Sequence, residues 1–188
     1  RVRRPMGFTR EDSKTPSLSV ACVLAKHKEP LRGAIVRAHD LLKQVAKERL
    51  GRNAFAIYRT TEGIEAGAPF YAGGHETLHC LRLLLKAMRD KLSPQVRYSL
   101  ENLAEGLSDW PNPRALEAPR AKLIRRAFER HYDAPADSPE SEEVCECAEK
   151  LFRALSHWSK YKRGEAVDPF RTFIDLLGVL GFLARHES

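Results

Sequence analysis

Two stretches decide the fold of this chain: SLSVACVLA at residues 17–25 and AKERLGRNAFAIY at residues 46–58. The first is apolar, partly β-branched and too short for a helix of its own. It predicts a strand that is buried on both faces. The second closes a helical pattern and enters another apolar run, which predicts a second strand from Ala54 to Tyr58.

One amphipathic helix is predicted between these strands. Pro30 suits its first turn, because a missing N–H costs nothing there, and Gly51 suits a left-handed cap at its end. The apolar residues recur every three or four positions and form one stripe: Leu31, Ile35, Ala38, Leu42 and Val45. Residues 1–62 therefore read strand–helix–strand. Because two strands and one helix cannot cover the first strand, and the chain starts without Met, we expect this part to be completed by preceding residues or a partner.

The remainder of the chain reads differently. Residues 63–75 carry Gly63, Gly67, Pro69 and Gly73-Gly74 and predict a linker. Residues 76–188 hold four or five amphipathic stripes with the helical period, separated by proline-rich and acidic breaks. The predicted fold class is α+β, with a small strand–helix–strand unit followed by an all-helical bundle.

Composition narrows the class of protein. The chain has 188 residues, is 43% hydrophobic and 30% charged, and carries a formal charge of +7. Residues 1–60 hold 14 Lys and Arg against five Asp and Glu, so the excess positive charge belongs to the first third, where an anionic partner is expected. No run of 18 apolar residues exists, which argues against a membrane span. Four scattered cysteines do not form a disulfide framework, and a reducing cytoplasm is the default compartment.

Lys47 and Arg52 are the strongest candidates for a binding site. Lys47 falls in the last turn of the predicted helix and Arg52 just beyond its cap, so both cations lie at one edge of the sheet. Two cations placed in this way suit the clamping of a triphosphate. A simpler alternative remains open, because the helix dipole by itself favours cations at a helix C-terminus.

The order of these segments resembles the closing third of a GGDEF-type nucleotide cyclase palm. There, a strand S-x-G-x-A precedes a helix that ends A-K-x-x-G-R-N. More specifically, SVACVLAKHKEPLRGAI at 19–35 and AKERLGRNAFAI at 46–57 resemble the second palm of the large subunit of type III CRISPR–Cas effector complexes, best its III-B (Cmr) branch. The segments KLSPQVRYSL at 91–100 and LGVLGFLARHES at 177–188 are similar to its helical C-terminal domain.

This resemblance implies a partial ferredoxin-like palm and a subunit that makes cyclic oligoadenylates from ATP with Mg or Mn. The metal ions would be held by an upstream Gly-Gly-Asp-Asp hairpin, so no catalytic or metal-binding residue is assigned here, and no cofactor is expected on this chain alone. Lys47 and Arg52 match the phosphate-binding positions, and Ser19 and Lys28 are further candidate nucleotide contacts. The implied partners are the helical small subunit, the backbone subunits, guide RNA and target RNA.

Two alternatives remain. Ala21 stands where the family has glycine, which keeps open a non-catalytic interaction module of the same complex. A diguanylate cyclase tail is disfavoured by the long helical region that follows G-R-N. The segment FYAGGHETL at 70–78 resembles the family's metal hairpin, but it comes in the wrong order and offers one carboxylate, Glu76, so a linker is the preferred interpretation.

Further metal and RNA candidates are weaker. Cys145 and Cys147 with His131 or His157, and the pair His75 and His79, could be imagined as metal ligands. Cysteines two apart on a helix diverge, which opposes a tetrahedral zinc site. A basic arm could contact RNA phosphates or be a solvated loop; its arginines are Arg1, Arg3, Arg4 and Arg10.

Overall fold

The structure is a computed structural model that describes residues 18–72, 75–107, 117–135, 138–160 and 168–186. The strands are β1 (Val20–Leu24), β2 (Ala54–Arg59), β3 (Ile64–Pro69), β4 (Tyr71–Ala72) and β5 (His75–Glu76). The helices are α1 (Leu31–Asp40), α2 (Thr77–Asp90), α3 (Gln95–Gly106), α4 (Glu117–His131), α5 (Pro139–Lys160) and α6 (Pro169–His186). A π-helical segment, Leu41–Arg49, continues α1. The predicted α+β class is confirmed.

The main sheet has three strands in the order β1-β2-β3. β1 runs parallel to β2, as a strand–helix–strand crossover requires, and β3 runs antiparallel to β2. β1 is therefore an edge strand, and Val20 and Cys22 are exposed. The prediction that this strand is buried on both faces is wrong, because Ala21 and Val23 pack against the π-helical segment whereas Val20 and Cys22, on the other face, are exposed.

The helix after β1 departs from the predicted stripe at its centre. The π-helical segment buries residues four and five positions apart: Leu41, Val45, Ala46 and Leu50. Its wider turn carries the apolar face out of line with α1, in which no residue is buried. Leu31 is 73% exposed and Ile35 60% exposed, so two residues of the predicted stripe face away from the core.

The linker predicted at residues 63–75 contains a full strand. Residues 64–69 form β3, whose Gly67 lies opposite Ala56 of β2. A Cβ at Gly67 would approach the Phe55 carbonyl oxygen to 2.6 Å and Leu50 Cδ1 to 2.8 Å. Glycine is thus present because the β2 backbone and Leu50, which follows the π-helical segment, leave no room for a Cβ. The same glycine concealed the strand in the sequence.

The sheet separates two apolar clusters. Alternate residues of β2 point to opposite faces, so Ala54 and Ala56 pack with the π-helical segment while Phe55 packs with the helical bundle. The larger cluster joins Phe55 and Ile64 to residues from all five helices of the bundle. The apolar core consequently continues across the predicted boundaries at residues 62 and 75.

Helices α2 to α6 form the predicted bundle. Every residue of the stripe Val144, Ala148, Leu151, Phe152 and Leu155 is buried, as are Phe170, Phe173, Ile174, Leu177 and Leu180. Phe152 lies edge-on to both Phe170 and Phe173, with ring centroids 5.9 and 6.2 Å apart. Within the described ranges, none of the helices is both long and apolar enough to cross a membrane.

Candidate functional site

Ser19 and Arg52 lie at the same end of the main sheet. In the parallel register Val20 is opposite Phe55, so Ser19, which precedes β1, comes level with the start of β2. Arg52 stands two residues before Ala54, where β2 begins. Lys47 precedes the same turn by five residues, near the end of the π-helical segment. Three of the four predicted contacts are thus carried by adjoining parts of one sheet end.

The turn Gly51-Arg52-Asn53 has an uncommon backbone. Its three residues have φ values of 76°, 67° and 49°, which lie in the left-handed region. The Arg52 N–H donates to the Ala46 carbonyl at 3.1 Å, and the Asn53 carbonyl accepts from the Phe70 N–H at 3.0 Å. These bonds fix a conformation that is costly for side chains other than glycine, and such costs concentrate at functional positions.

The cations around this turn have different surroundings. Lys47 and Arg52 are both exposed, and Arg49 forms an ion pair with Glu65 of β3. The π-helical segment ends here, so the negative end of the helix dipole favours cations in this region and opposes an anion. Any attraction for an anion at this sheet end therefore comes from the exposed cations Lys47 and Arg52.

Lys28 lies at the opposite end of the strands. It follows β1, and together with Lys26, Glu29 and Thr60 it lines a shallow pocket. The Thr60 N–H donates to the Leu24 carbonyl at 3.0 Å and closes this end of the sheet. Four residue steps along β1 amount to about 13 Å. The structure therefore does not bring Lys28 together with Ser19, Lys47 and Arg52.

The segment that resembles a metal hairpin is itself a hairpin. β4 and β5 pair antiparallel, with Tyr71 opposite Glu76 and Ala72 opposite His75, where the sequence predicted an irregular linker. The glycines between them, Gly73 and Gly74, lie outside the described residues, as do the side chains of His75 and Glu76. Paired glycines permit a tight turn, which is the signal the sequence offered for this hairpin.

The cysteine and histidine candidates are not assembled into one site. Cys147 contacts Cys80 of α2, whereas Cys145 contacts Ser141 one turn earlier in its own helix. The His131 imidazole Nε2 lies 2.7 Å from the Ser99 hydroxyl. The side chain of His157 and the basic arm at residues 1–17 lie outside the described residues.

Exposed large apolar side chains on β1 and on α1 were not anticipated as such by the sequence analysis: Leu18 and Val20 at β1, and Leu31, Ile35 and Val36 on α1. Also on α1, the Arg37 guanidinium carbon lies 4.6 Å from the centroid of the Tyr58 ring. The adjacency of Ile35 and Val36 in the sequence, which a single narrow stripe does not explain, was the available signal.

Comparison with known proteins adds no relationship to this geometry. No protein-family model matches the chain, and no curated protein matches it either.

Proposed function

We propose that this chain is part of the large subunit of a type III CRISPR effector complex and that Lys47 and Arg52 bind the phosphates of ATP. The observation that carries the proposal is the convergence of Ser19, Lys47 and Arg52 at one end of the parallel pair β1 and β2. The fixed left-handed turn at Gly51-Arg52-Asn53 supports it, because a positioned cation binds phosphate better than a flexible one.

The contribution of these residues is electrostatic. Cyclic oligoadenylate synthesis joins a 3′ oxygen to an α-phosphate, and ATP would enter with Mg or Mn held by residues of the intact subunit. Lys47 offers a compact charge, and Arg52 a planar fork that can bind two phosphate oxygens at once. Both would orient the triphosphate and neutralise its charge, and Ser19 would accept or donate one hydrogen bond at the same edge.

The helical bundle would serve assembly in the cytoplasm. Its proposed partners are the helical small subunit, the backbone subunits, guide RNA and target RNA. The large apolar core that α2 to α6 share with β3 supports a rigid platform, which such docking requires. Lys28, at the far end of β1, is assigned to no phosphate of the same nucleotide.

A second candidate function is a non-catalytic interaction module of that complex. The exposed side chains Leu31, Ile35 and Val36 of α1 favour it, because neighbouring large apolar side chains that face solvent commonly mark an interaction surface. Ala21 also carries a Cβ in β1 where the resembled strand has none.

The test compares variants of the complete subunit in its assembled complex with target RNA, ATP and Mg. Lys47→Ala and Arg52→Ala are each expected to reduce cyclic oligoadenylate synthesis about 10- to 100-fold. A reduction of this size corresponds to the loss of one charge-assisted hydrogen bond. Lys122→Ala removes an exposed cation of α4 and serves as the matched control.

Assembly and RNA binding should be the same in all three variants. Unchanged synthesis in both Lys47→Ala and Arg52→Ala would show that the phosphate clamp is wrong. Absence of synthesis and of ATP binding in the unmodified complex would favour the interaction module instead.

A further inference from the structure

Cys80 and Cys147 meet between two helices of the bundle. Cys80 lies in α2 and Cys147 in α5, two helices that pack against each other. Both residues are buried, with 4% and 5% of their surface exposed, and their side chains are hydrogen-bonded to each other. Two free thiols that are hydrogen-bonded to each other across a helix pair are the starting arrangement for a disulfide between the two helices.

The two sulfur atoms are not equivalent. The hydrogen bond from the Cys80 thiol, assisted by the ammonium of Lys150, lowers the pKa of Cys147 against the opposing effect of burial. The same interaction and burial raise the pKa of Cys80. Cys147 is therefore the member of the pair that supplies the thiolate, which is the reactive form, and Cys80 is the member that keeps its proton.

We propose that Cys80 and Cys147 are a redox-sensitive modification site that forms a reversible disulfide between α2 and α5 on exposure to hydrogen peroxide. The Cys147 thiolate attacks one peroxide oxygen; an S–O bond forms, the O–O bond breaks, and the departing hydroxide takes a proton to become water. The Cys80 sulfur then attacks the Cys147 sulfur, the S–S bond forms, and the S–O oxygen leaves as a second water with the Cys80 proton. Two thiols lose two electrons, which peroxide accepts.

The remaining cysteines have other surroundings. Cys145 lies in α5 beside Ser141, and Cys22 is exposed on the edge strand β1, far along the chain from the bundle. A bond between Cys80 and Cys147 would close a long loop that contains most of α2, all of α3 and α4, and the first part of α5. Closing a loop of this length stabilises the folded chain mainly by restricting the unfolded one. The oxidised protein should consequently melt at a temperature about 5–15 °C above the reduced protein.

The experiment uses the full chain with Cys22→Ser, which removes the exposed thiol and with it bonds between molecules. The protein is treated with hydrogen peroxide while folded, then denatured and alkylated, and intact mass gives the number of free thiols. Three thiols before treatment should become one, dithiothreitol should restore three, and peptide mapping should join Cys80 to Cys147. Adding Cys145→Ser should leave this bond intact.

Cys147→Ser, in the same background, is expected to keep both remaining thiols. Cys80→Ser lacks the thiol that resolves the sulfenic acid at Cys147, so it is expected to form no disulfide. Neither variant should show an oxidation-dependent rise in melting temperature. Cys80→Ala and Cys147→Ala provide the same comparison if a serine variant does not melt cooperatively. The inference is overturned if three thiols survive oxidation, if mapping joins a different pair, or if dithiothreitol fails to restore the lost thiols.

Discussion

The guanidinium carbon of Arg59 lies 4.2 Å from the centroid of the Phe182 ring. Arg59 ends β2, and Phe182 lies in α6, so this contact joins the sheet to the last helix of the bundle. Glu62, in the turn between β2 and β3, accepts from Arg59 at 2.9 Å and from Arg97 of α3 at 3.3 Å. The turn thereby holds two elements of the bundle against the end of the sheet.

Arg59→Ala should destabilise the protein by about 2 kcal/mol, through loss of the ring contact and of the buried aliphatic stem. Arg59→Met keeps the stem and avoids burying a guanidinium whose Nε and Nη1 lack hydrogen-bond partners, so it should cost less. Denaturant unfolding with an unchanged m-value measures both. Arg153→Ala, at an exposed ion pair with Glu149, is the control and should change the free energy by less than about 0.5 kcal/mol. Equal losses of stability in Arg59→Ala and Arg153→Ala would contradict a stabilising contact between Arg59 and Phe182.

Phe173→Ala should cost about 3–5 kcal/mol, because its fully buried ring contacts Phe128 and Phe152 and the truncation leaves a cavity. Leu31→Ala, in the exposed face of α1, should cost less than about 0.5 kcal/mol in the isolated chain. Thermal or denaturant unfolding of the two variants measures both changes in the free energy of unfolding. A large loss at Leu31 would mean that this side chain is covered in solution.

Gly67→Ala should destabilise the protein by about 1–3 kcal/mol, since the added Cβ meets the Phe55 carbonyl oxygen, a backbone atom that cannot turn aside. Gly33→Ala is its matched control. Nothing lies within 4 Å of a Cβ at Gly33, and alanine favours the helix by about 0.5–1 kcal/mol. The two substitutions should therefore shift the denaturation midpoint in opposite directions, and a shift of the same sign would refute the close approach at Gly67.

Asp175→Asn should stabilise the protein at neutral pH. Burial raises the pKa of the Asp175 carboxyl above its ordinary value of 3.8, an effect reinforced by Glu101 and Glu65 and opposed by Arg171 and Arg97. Because the folded protein binds this proton more tightly than the unfolded protein does, protonation of Asp175 stabilises the fold. This contribution to the free energy of unfolding is complete below pH 3.8 and is lost as the pH rises through the raised pKa.

The advantage of Asp175→Asn should accordingly shrink as pH falls toward that ordinary value. Denaturant unfolding at a series of pH values measures it, with Asp133→Asn, at an exposed carboxyl, as the control. An advantage that grows on acidification would be inconsistent with a raised pKa.

The helical bundle could be predicted from the sequence because its apolar residues repeat at the α-helical period along single helices. The apolar stripe of α5 that runs from Val144 to Leu155 is buried, as its period predicts. The prediction of one apolar stripe along α1 and the π-helical segment was wrong, because the π-helical turn rotates the apolar face between them. That turn is stabilised by packing of Leu41, Val45 and Leu50 on the sheet. No local sequence pattern predicts this change from an α-helical to a π-helical turn.

For the candidate site, sequence order placed Lys47 and Arg52 around one turn and named Ser19 as a further candidate. The parallel register of β1 and β2 gives the end of the sheet at which Ser19 lies. Lys28 is nearer to Ser19 in the sequence than Lys47 or Arg52 is, yet Ser19 precedes β1 and Lys28 follows it, so the two lie at opposite ends of that strand. The contact between Cys80 and Cys147 had no sequence signal, because it joins two helices that are far apart along the chain.

By itself, the sequence determined the α+β class, the helical bundle and the concentration of positive charge in the first third, all of which depend on composition or on local period. Only the tertiary structure decided the edge position of β1, the strand β3 inside a glycine-rich segment, and the pairing of Cys80 with Cys147. These depend on which segments meet, and contacts between distant segments are set by packing and register rather than by any pattern along one element.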